Sequence, residues 1–270
     1  MADDQNAPVV LVTGATDGLG QQVSRDIAAG GASVVLHGRN RGRCEDTAAW
    51  VRGDTGNDRV DHHVGDFASL QDVRRLADEI RDHHDRLDAL VNNAGIGGGD
   101  RRTSADGYEL QFAVNYLAHF LLTRRLLDLL RASAPARIVN VSSAAQTKIV
   151  FDDVMLERGY EPIRAYAQSK LAQTMFTFDL AEELAGTGVT ATAVHPASLM
   201  PTKLAENSFG RSVSTLEEGA DAVVRLVVSP ELEGVNGWYF NGTQRAHADG
   251  QAYDPKARAR LRELSQQLTG

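Results

Sequence analysis

The stretch Val9-Val10-Leu11-Val12-Thr13-Gly14-Ala15-Thr16-Asp17-Gly18-Leu19-Gly20 decides the fold. Its first five residues, rich in β-branched side chains, have the length and composition of a buried strand. They run into a turn with the spacing Gly-x3-Gly-x-Gly, and a helical period follows from about Gly18 to Ala29. Glycines permit a tight turn and let backbone approach a pyrophosphate, while a helix N-terminus supplies unpaired N–H groups and partial positive charge. The spacing departs from the standard Gly-x-Gly-x2-Gly fingerprint, and a purely structural turn is the competing reading. Its place after the first strand of a βαβ unit favours the nucleotide.

Outward from this turn, short apolar runs alternate with longer helical periods. Further strands are expected at Ser33–His37, Val60–Val64, Asp88–Asn92, Arg137–Ser142, Val189–Val194 and Trp238–Phe240. Helical stretches are expected at Leu70–His83, Gly107–Leu130, Ile163–Leu184 and Leu216–Val228. This alternation predicts α/β architecture: one doubly wound Rossmann domain over 1–270, with about seven parallel strands and helices on both faces. Residues 1–7 are expected to form a flexible tail, 197–214 a substrate lid and 255–268 a C-terminal surface helix.

Bulk composition narrows the function. The chain has 270 residues, 42% hydrophobic and 24% charged, and its 36 acidic against 28 basic residues give a net charge of −8. That balance argues against a nucleic-acid surface. A lone cysteine, Cys44, excludes an intramolecular disulfide and reads as a helix-surface or half-buried thiol rather than a reactive one beside Arg43. The start lacks the basic and apolar stretches of a signal peptide, and the run 112–130, broken by Arg124 and Arg125, falls short of a membrane span. A soluble cytoplasmic protein is expected. His62-His63 and His83-His84 raise the question of a metal, but strand neighbours point to opposite faces and no ligand cluster accompanies them by spacing, so no metal is expected.

The end of the second strand bears on cofactor choice. NAD binders place a carboxylate there for the ribose 2′-hydroxyl. Here the chain reads His37-Gly38-Arg39-Asn40-Arg41-Gly42-Arg43. Arginine presents a planar fork of donors suited to a phosphate dianion. Arg39 is the candidate for a 2′-phosphate, with Arg43 one helical turn on as a helper, which favours NADP(H).

Three motifs in order then resemble the short-chain dehydrogenase/reductase family: Thr13-Gly14-x3-Gly18-x-Gly20, Asn92-Asn93-Ala94-Gly95, and Tyr166-x3-Lys170. The resemblance runs from about Pro8 to Asn241. It implies hydride transfer between nicotinamide and a carbonyl or alcohol, with Tyr166 as acid and base. Tyr166 and Lys170 stand at i and i+4, so they share a helix face, and an ammonium there is expected to lower the phenol pKa. The resemblance adds Ser143, as hydrogen-bond partner of the reacting oxygen, and Asn115, as holder of a relay water; Ser142 would point the other way. It places Gly14, Thr16, Asp17, Gly18, Leu19 and Gly20 at the cofactor, with Asp66 and Phe67 toward the adenine. Asn93, Ala94 and Gly95 would line the ribose, and Pro196 and Thr202 would face the nicotinamide. Asp66 has the alternative of capping the helix that begins near Ser69.

Two departures stand out. Ala197 occupies the place of the glycine that usually follows the proline, and the threonine for the carboxamide is displaced to Thr202. Ser143 and Tyr166 lie 23 residues apart, and the intervening insertion, roughly 146–162, resembles retinol dehydrogenase-like and protochlorophyllide reductase-like relatives. Those relatives often take membrane-associated or bulky apolar substrates, while a membrane anchor like theirs is not expected here. Leu199, Met200, Leu204 and Phe209 of the lid segment suggest a partly apolar substrate, or packing on the domain itself. By family analogy, pairing through the helices of Asn115 and Tyr166 would give a homodimer or homotetramer. The alternatives are a non-catalytic NADP-binding redox sensor, which would tend to lose Tyr or Lys, and a sugar-nucleotide epimerase-like enzyme, which would need a larger C-terminal part.

Overall fold

Strand β1 (Val9–Thr13) forms the middle of the sheet because both its faces are apolar: Val10, Leu11 and Val12 are fully buried. The computed structural model describes residues 7–198, 200 and 214–270. The expected tail before residue 7, and Leu199, Thr202, Leu204 and Phe209 of the expected lid, lie outside the described residues.

From β1 the chain forms α1 (Gly18–Ala29), β2 (Ser33–Gly38), α2 (Arg41–Thr55), β3 (Val60–Val64), α3 (Leu70–His83) and β4 (Ala89–Asn92). A short helix, α4 (Leu110–Phe112), leads through a π-helical turn (Ala113–Leu117) into α5 (Ala118–Ala132). Then come β5 (Ala136–Val141), α6 (Pro162–Glu183), β6 (Val189–His195), α7 (Leu216–Val228), β7 (Trp238–Asn241), β8 (Gln244–Ala246) and α8 (Pro255–Thr269). The sheet order is β3-β2-β1-β4-β5-β6-β7-β8. All strands from β1 to β7 run parallel, and the order in which the chain adds them reverses between β1 and β4, the place where open α/β sheets form a ligand crevice beyond the strand C-termini.

Each face of the sheet carries its own apolar layer. Leu11, Leu90, Ile138 and Ala191 point toward α3, α5, α6 and α8. Val10, Val12, Val91, Val139 and Val194 point toward α1, α2 and α7. This is the doubly wound arrangement expected from the alternation of strands and helices. The expected parallel strands are β1–β7; among the described residues a short eighth strand, β8, pairs antiparallel with β7, so the sheet is mixed. Helix α2 was not among the expected helices; Asn40 caps it by accepting a hydrogen bond from the Arg43 N–H at 3.0 Å, and Gly56 ends it in the left-handed conformation.

The 146–162 insertion packs down rather than standing free. Ile149, Val154 and Leu156 are buried, and the Gln168 amide of α6 donates to the Val154 carbonyl at 2.8 Å. Arg101 donates to the Met155 carbonyl, and Gln111 donates to the Tyr160 hydroxyl at 2.9 Å. Helix α8 lies against the two long helices through which pairing is expected. Its Ser265 hydroxyl meets the Tyr116 hydroxyl at 2.6 Å, and Arg262 pairs with Asp179 of α6 at 2.5 Å. Part of their outer surface is therefore covered by the chain itself. Among the described residues, no helix is long and apolar enough to cross a membrane.

Candidate active site

The site is assembled from the C-terminal ends of β1, β4, β5 and β6. Thr13 closes β1 with a buried hydroxyl that accepts the N–H groups of Asn93 (2.9 Å) and Ala94 (3.0 Å). In return the Asn93 amide donates to the carbonyls of Thr13 (2.8 Å) and Gly14 (3.3 Å). The loop after β4 and the glycine turn after β1 are thus one hydrogen-bonded unit. Asn93 holds that turn in place through its side chain, a role beyond the ribose contact expected from sequence.

The glycines answer to this close approach. Gly14 has φ +65°, and a Cβ there would lie 2.8 Å from the Ala94 Cα. A Cβ on Gly20 would overlap the Gly14 carbonyl oxygen and the Asn93 amide. Helix α1 starts at Gly18 with no side-chain cap from Asp17, whereas Asn40, Ser69, Thr215 and Asp254 all cap their helices. The first-turn N–H groups of α1 thereby retain donor capacity for an anion, which fits a pyrophosphate.

At the end of β2, Arg43 reaches from α2 to the Thr16 carbonyl (3.0 Å) and the Asp17 carboxylate (3.1 Å). Arg39 is exposed directly after β2 and, among the described residues, has no hydrogen bond or ion pair. Gly38 admits the Thr16 side chain against the strand end, since a Cβ there would lie 2.6 Å from the Thr16 methyl. Cys44 packs beneath and is fully buried rather than half-buried; burial raises its thiol pKa.

Asp66 and Phe67 follow β3. Phe67 is buried, stacked on His37 (4.4 Å between centroids) and edge-on to His119, so its ring supports the site from below. Asp66 accepts the Ala68 N–H at 3.0 Å, while Ser69, not Asp66, is the N-cap of α3. Pro196 is buried just beyond β6.

On the nicotinamide side, Ser142 and Ser143 diverge as strand alternation requires. The Ser142 hydroxyl faces α6, bonded to the Lys170 carbonyl (2.9 Å) and the Thr174 hydroxyl (2.8 Å). The Ser143 hydroxyl accepts the Ala145 N–H and also lies within the field of the Tyr166 phenol. Tyr239 donates to the Ser143 carbonyl at 3.0 Å and fixes its backbone. Lys170 is buried one turn along α6 from Tyr166, with its Nζ 5.8 Å from the phenol ring centroid. That Nζ donates to the Val141 carbonyl (2.7 Å) and to Gln173 Oε1 (3.1 Å).

The electrostatics differ from expectation. Burial raises the Tyr166 pKa, and the Ser143 hydroxyl offsets this only in part. Burial pushes Lys170 down to about 7. In this geometry desolvation outweighs the expected benefit of an ammonium to the phenolate.

Asn115 sits in the π turn. Its side chain grips Ile96 through both backbone groups (2.8 and 3.0 Å) and donates to the Ser169 hydroxyl at 2.9 Å. Its carbonyl is met by His119 Nδ1 at 2.9 Å. His119 Nε2 in turn lies 3.2 Å from the Thr13 hydroxyl, and Gln173 donates to the Asn92 carbonyl. Asn92 and Asn140 are joined at 2.8 Å and end on Thr123 and Thr177. This buried polar layer beneath the site was not singled out from sequence, although Asn92 and Asn140 closing apolar strands and His119 within an apolar helix were visible signals.

The layer has a stability consequence. Burial holds His37 down to about 4 and His119 to about 3. The unfolded chain binds protons on these groups below about pH 6.5, whereas the folded chain resists until pH 4 to 3, so stability is lost as pH falls through that window. At about pH 5.5 the pair costs about 3 kcal/mol. Thermal unfolding between about pH 7.5 and 5.5 should show a falling Tm, flattened in His37→Gln; a pH-invariant Tm would contradict the assignment.

With this geometry in place, the family follows. The short chain dehydrogenase family profile matches residues 8–211, and the chain belongs to that family, within its retinol dehydrogenase-like branch. It is 39% identical to human (Homo sapiens) retinol dehydrogenase 13 over 97% of this chain and 84% of that protein. It is 35% identical to human polyprenol dehydrogenase over 97% of this chain and 85% of the other. Among solved structures, an uncharacterized protein from Mycobacterium Paratuberculosis is similar with a TM-score of 0.80, at 31% identity over 98% of this chain and 96% of that one. A short chain dehydrogenase from Escherichia coli CFT073, complexed with NADPH, is similar with a TM-score of 0.74 at 25% identity, over 88% of this chain and 98% of the other. The protein is an oxidoreductase of this family.

Proposed function

We propose that the protein is an NADP(H)-dependent oxidoreductase interconverting an alcohol with its aldehyde or ketone, on a substrate whose remainder is largely apolar. The observation that carries this is the convergence of Ser143, Tyr166 and Lys170 from β5 and α6 beside the uncapped start of α1. A bound nicotinamide would supply or accept the hydride. Tyr166 holds the proton that the substrate oxygen gains or loses, and Ser143 orients that oxygen. Lys170, fixed by the Val141 carbonyl and Gln173, stands one turn from the phenol with its Nζ 5.8 Å from the ring centroid. Arg39 and Arg43 would take the 2′-phosphate that distinguishes NADP from NAD. NADP and NADPH in structural neighbours support that choice.

The names of the retinol and polyprenol dehydrogenases support an apolar alcohol or its carbonyl partner. Of the lid residues that suggested apolar contact, Met200 packs against the α1 and α7 side of the core, with its sulfur over Gly219.

The test is a steady-state assay with NADPH and a panel of apolar aldehydes and ketones, run in both directions across pH. A raised Tyr166 pKa keeps the phenol protonated through neutrality. Reduction should therefore hold across neutral pH and decline on the alkaline side, while oxidation should climb as pH rises. Absence of turnover across the panel, or parallel pH profiles in both directions, would contradict the assignment.

A further inference from the structure

The edge of the sheet away from the candidate active site carries a second cluster of chemistry. Strand β3 is outermost and pairs only with β2. Along it, Asp61 and His63 are two residues apart and so point to one face, while His62 points to the other. His84, the residue that closes α3, comes down onto the same face. The opposed neighbours His62 and His63 and the lack of a ligand cluster at sequence spacing gave no metal site by sequence; the fold instead joins the i, i+2 pair Asp61 and His63 to a third residue at the helix end.

The three donor atoms face one another. His63 Nε2 and His84 Nε2 are 3.1 Å apart, and Asp61 Oδ2 lies 3.8 Å from the former and 3.6 Å from the latter. A tetrahedral zinc with bonds of about 2.0–2.1 Å sets its ligand atoms about 3.3–3.4 Å from each other. All three separations fall within about half an ångström of that edge, so small side-chain motions complete the geometry.

The surroundings complete the case. His63 Nδ1 faces Glu79 Oε2 at 3.7 Å, a carboxylate behind the imidazole that favours the Nδ1–H tautomer and leaves the Nε2 lone pair for a cation. Glu79 is held from its other oxygen by Arg75 at 2.6 Å. The cluster opens to solvent beside Arg41, His62 and His83, which leaves room for a water as fourth ligand.

We infer that Asp61, His63 and His84 form a binding site for a divalent transition-metal ion of the zinc class, which clips the edge strand β3 to the C-terminal end of α3. Two imidazoles and one carboxylate suit zinc over calcium or magnesium, which prefer all-oxygen shells. The ion's place is structural: it joins two elements that the βαβ crossover brings together, and none of its ligands belongs to the candidate active site.

The experiment uses the full-length protein, treated with chelator and then titrated with zinc against a chromogenic competitor. Cobalt serves as a second probe, because four-coordinate cobalt gives an intense visible spectrum. One equivalent of zinc should bind and raise the Tm. His84→Ala and Asp61→Asn should each weaken binding at least about tenfold and remove the Tm rise, a loss of about 1.4 kcal/mol or more. His62→Ala should bind as the wild type does. His63 is buried, so the two more exposed ligands are the ones substituted. Wild-type binding no tighter than that of His84→Ala, or equal weakening in His62→Ala, would show adventitious surface histidines only and overturn the site.

Discussion

Replacing Tyr166 with phenylalanine is expected to lower kcat about 10²–10⁴-fold while leaving NADPH binding and thermal stability near wild type. The phenol oxygen is the only atom removed. The ring keeps its packing on α6, and Lys170 keeps its bonds to the Val141 carbonyl and Gln173, neither of which involves Tyr166. The proposed cofactor cradle of Thr13, Asn93 and the glycine turn is bonded within itself and not touched by the substitution. Ser143→Ala should also retain the fold, with a loss of about 10²-fold, since it removes an orienting donor rather than the proton carrier. Steady-state kinetics and nucleotide titration on the same preparations separate the effects. A Tyr166→Phe protein with near-normal kcat would remove the phenol from the chemistry.

Gly20→Ala should act at the other end of the site and through structure. The new methyl would overlap the Gly14 carbonyl oxygen and the Asn93 amide, both fixed by the bonds that join the β1 turn to the β4 loop. Helix α1 would have to move off the turn, because the obstacles are backbone and a bonded amide rather than a flexible side-chain tip. Overpacking of this kind costs about 1–3 kcal/mol. It would also displace the first-turn N–H groups from the pyrophosphate, so nucleotide affinity should fall about 10²-fold or more. Gly53→Ala on α2, where a Cβ meets nothing within 4 Å, is the control and should change neither property. Unaltered nucleotide affinity in Gly20→Ala would mean that the turn does not carry the cofactor.

Much of this architecture was legible because strand and helix periods are simple. Val9–Thr13, Val60–Val64, Leu70–His83 and Leu216–Val228 fall where the patterns placed them. Helix α2 was missed although Cys44, Thr47, Ala48 and Val51 mark a proper inward stripe, because two glycines and many charges dilute it. Strand β8 is three residues long, largely exposed, and paired only by a tight return from β7, so no periodicity could reveal it.

At the site, motif spacing picked out Tyr166, Lys170 and the glycine turn as candidates, and the family resemblance added Ser143. What it could not give was the direction of the pKa shifts, which depends on burial. Nor could it give the layer joining His119, Gln173, Asn92 and Asn140, which comes from four separate elements. The Asp61–His63–His84 cluster escaped for a related reason: His84 is brought to β3 only by the fold of α3.

The most direct test of the account is a fluorescence titration of the protein with NADPH and NADH, wild type beside Arg39→Ala. The account predicts that wild type binds NADPH more tightly than NADH by about tenfold to a few hundredfold, and that the substitution removes most of that difference while NADH affinity stays put. Equal affinity for the two nucleotides, or a preference for NADPH that survives in Arg39→Ala, would contradict the phosphate site. Failure of either nucleotide to bind would contradict the oxidoreductase function built upon it.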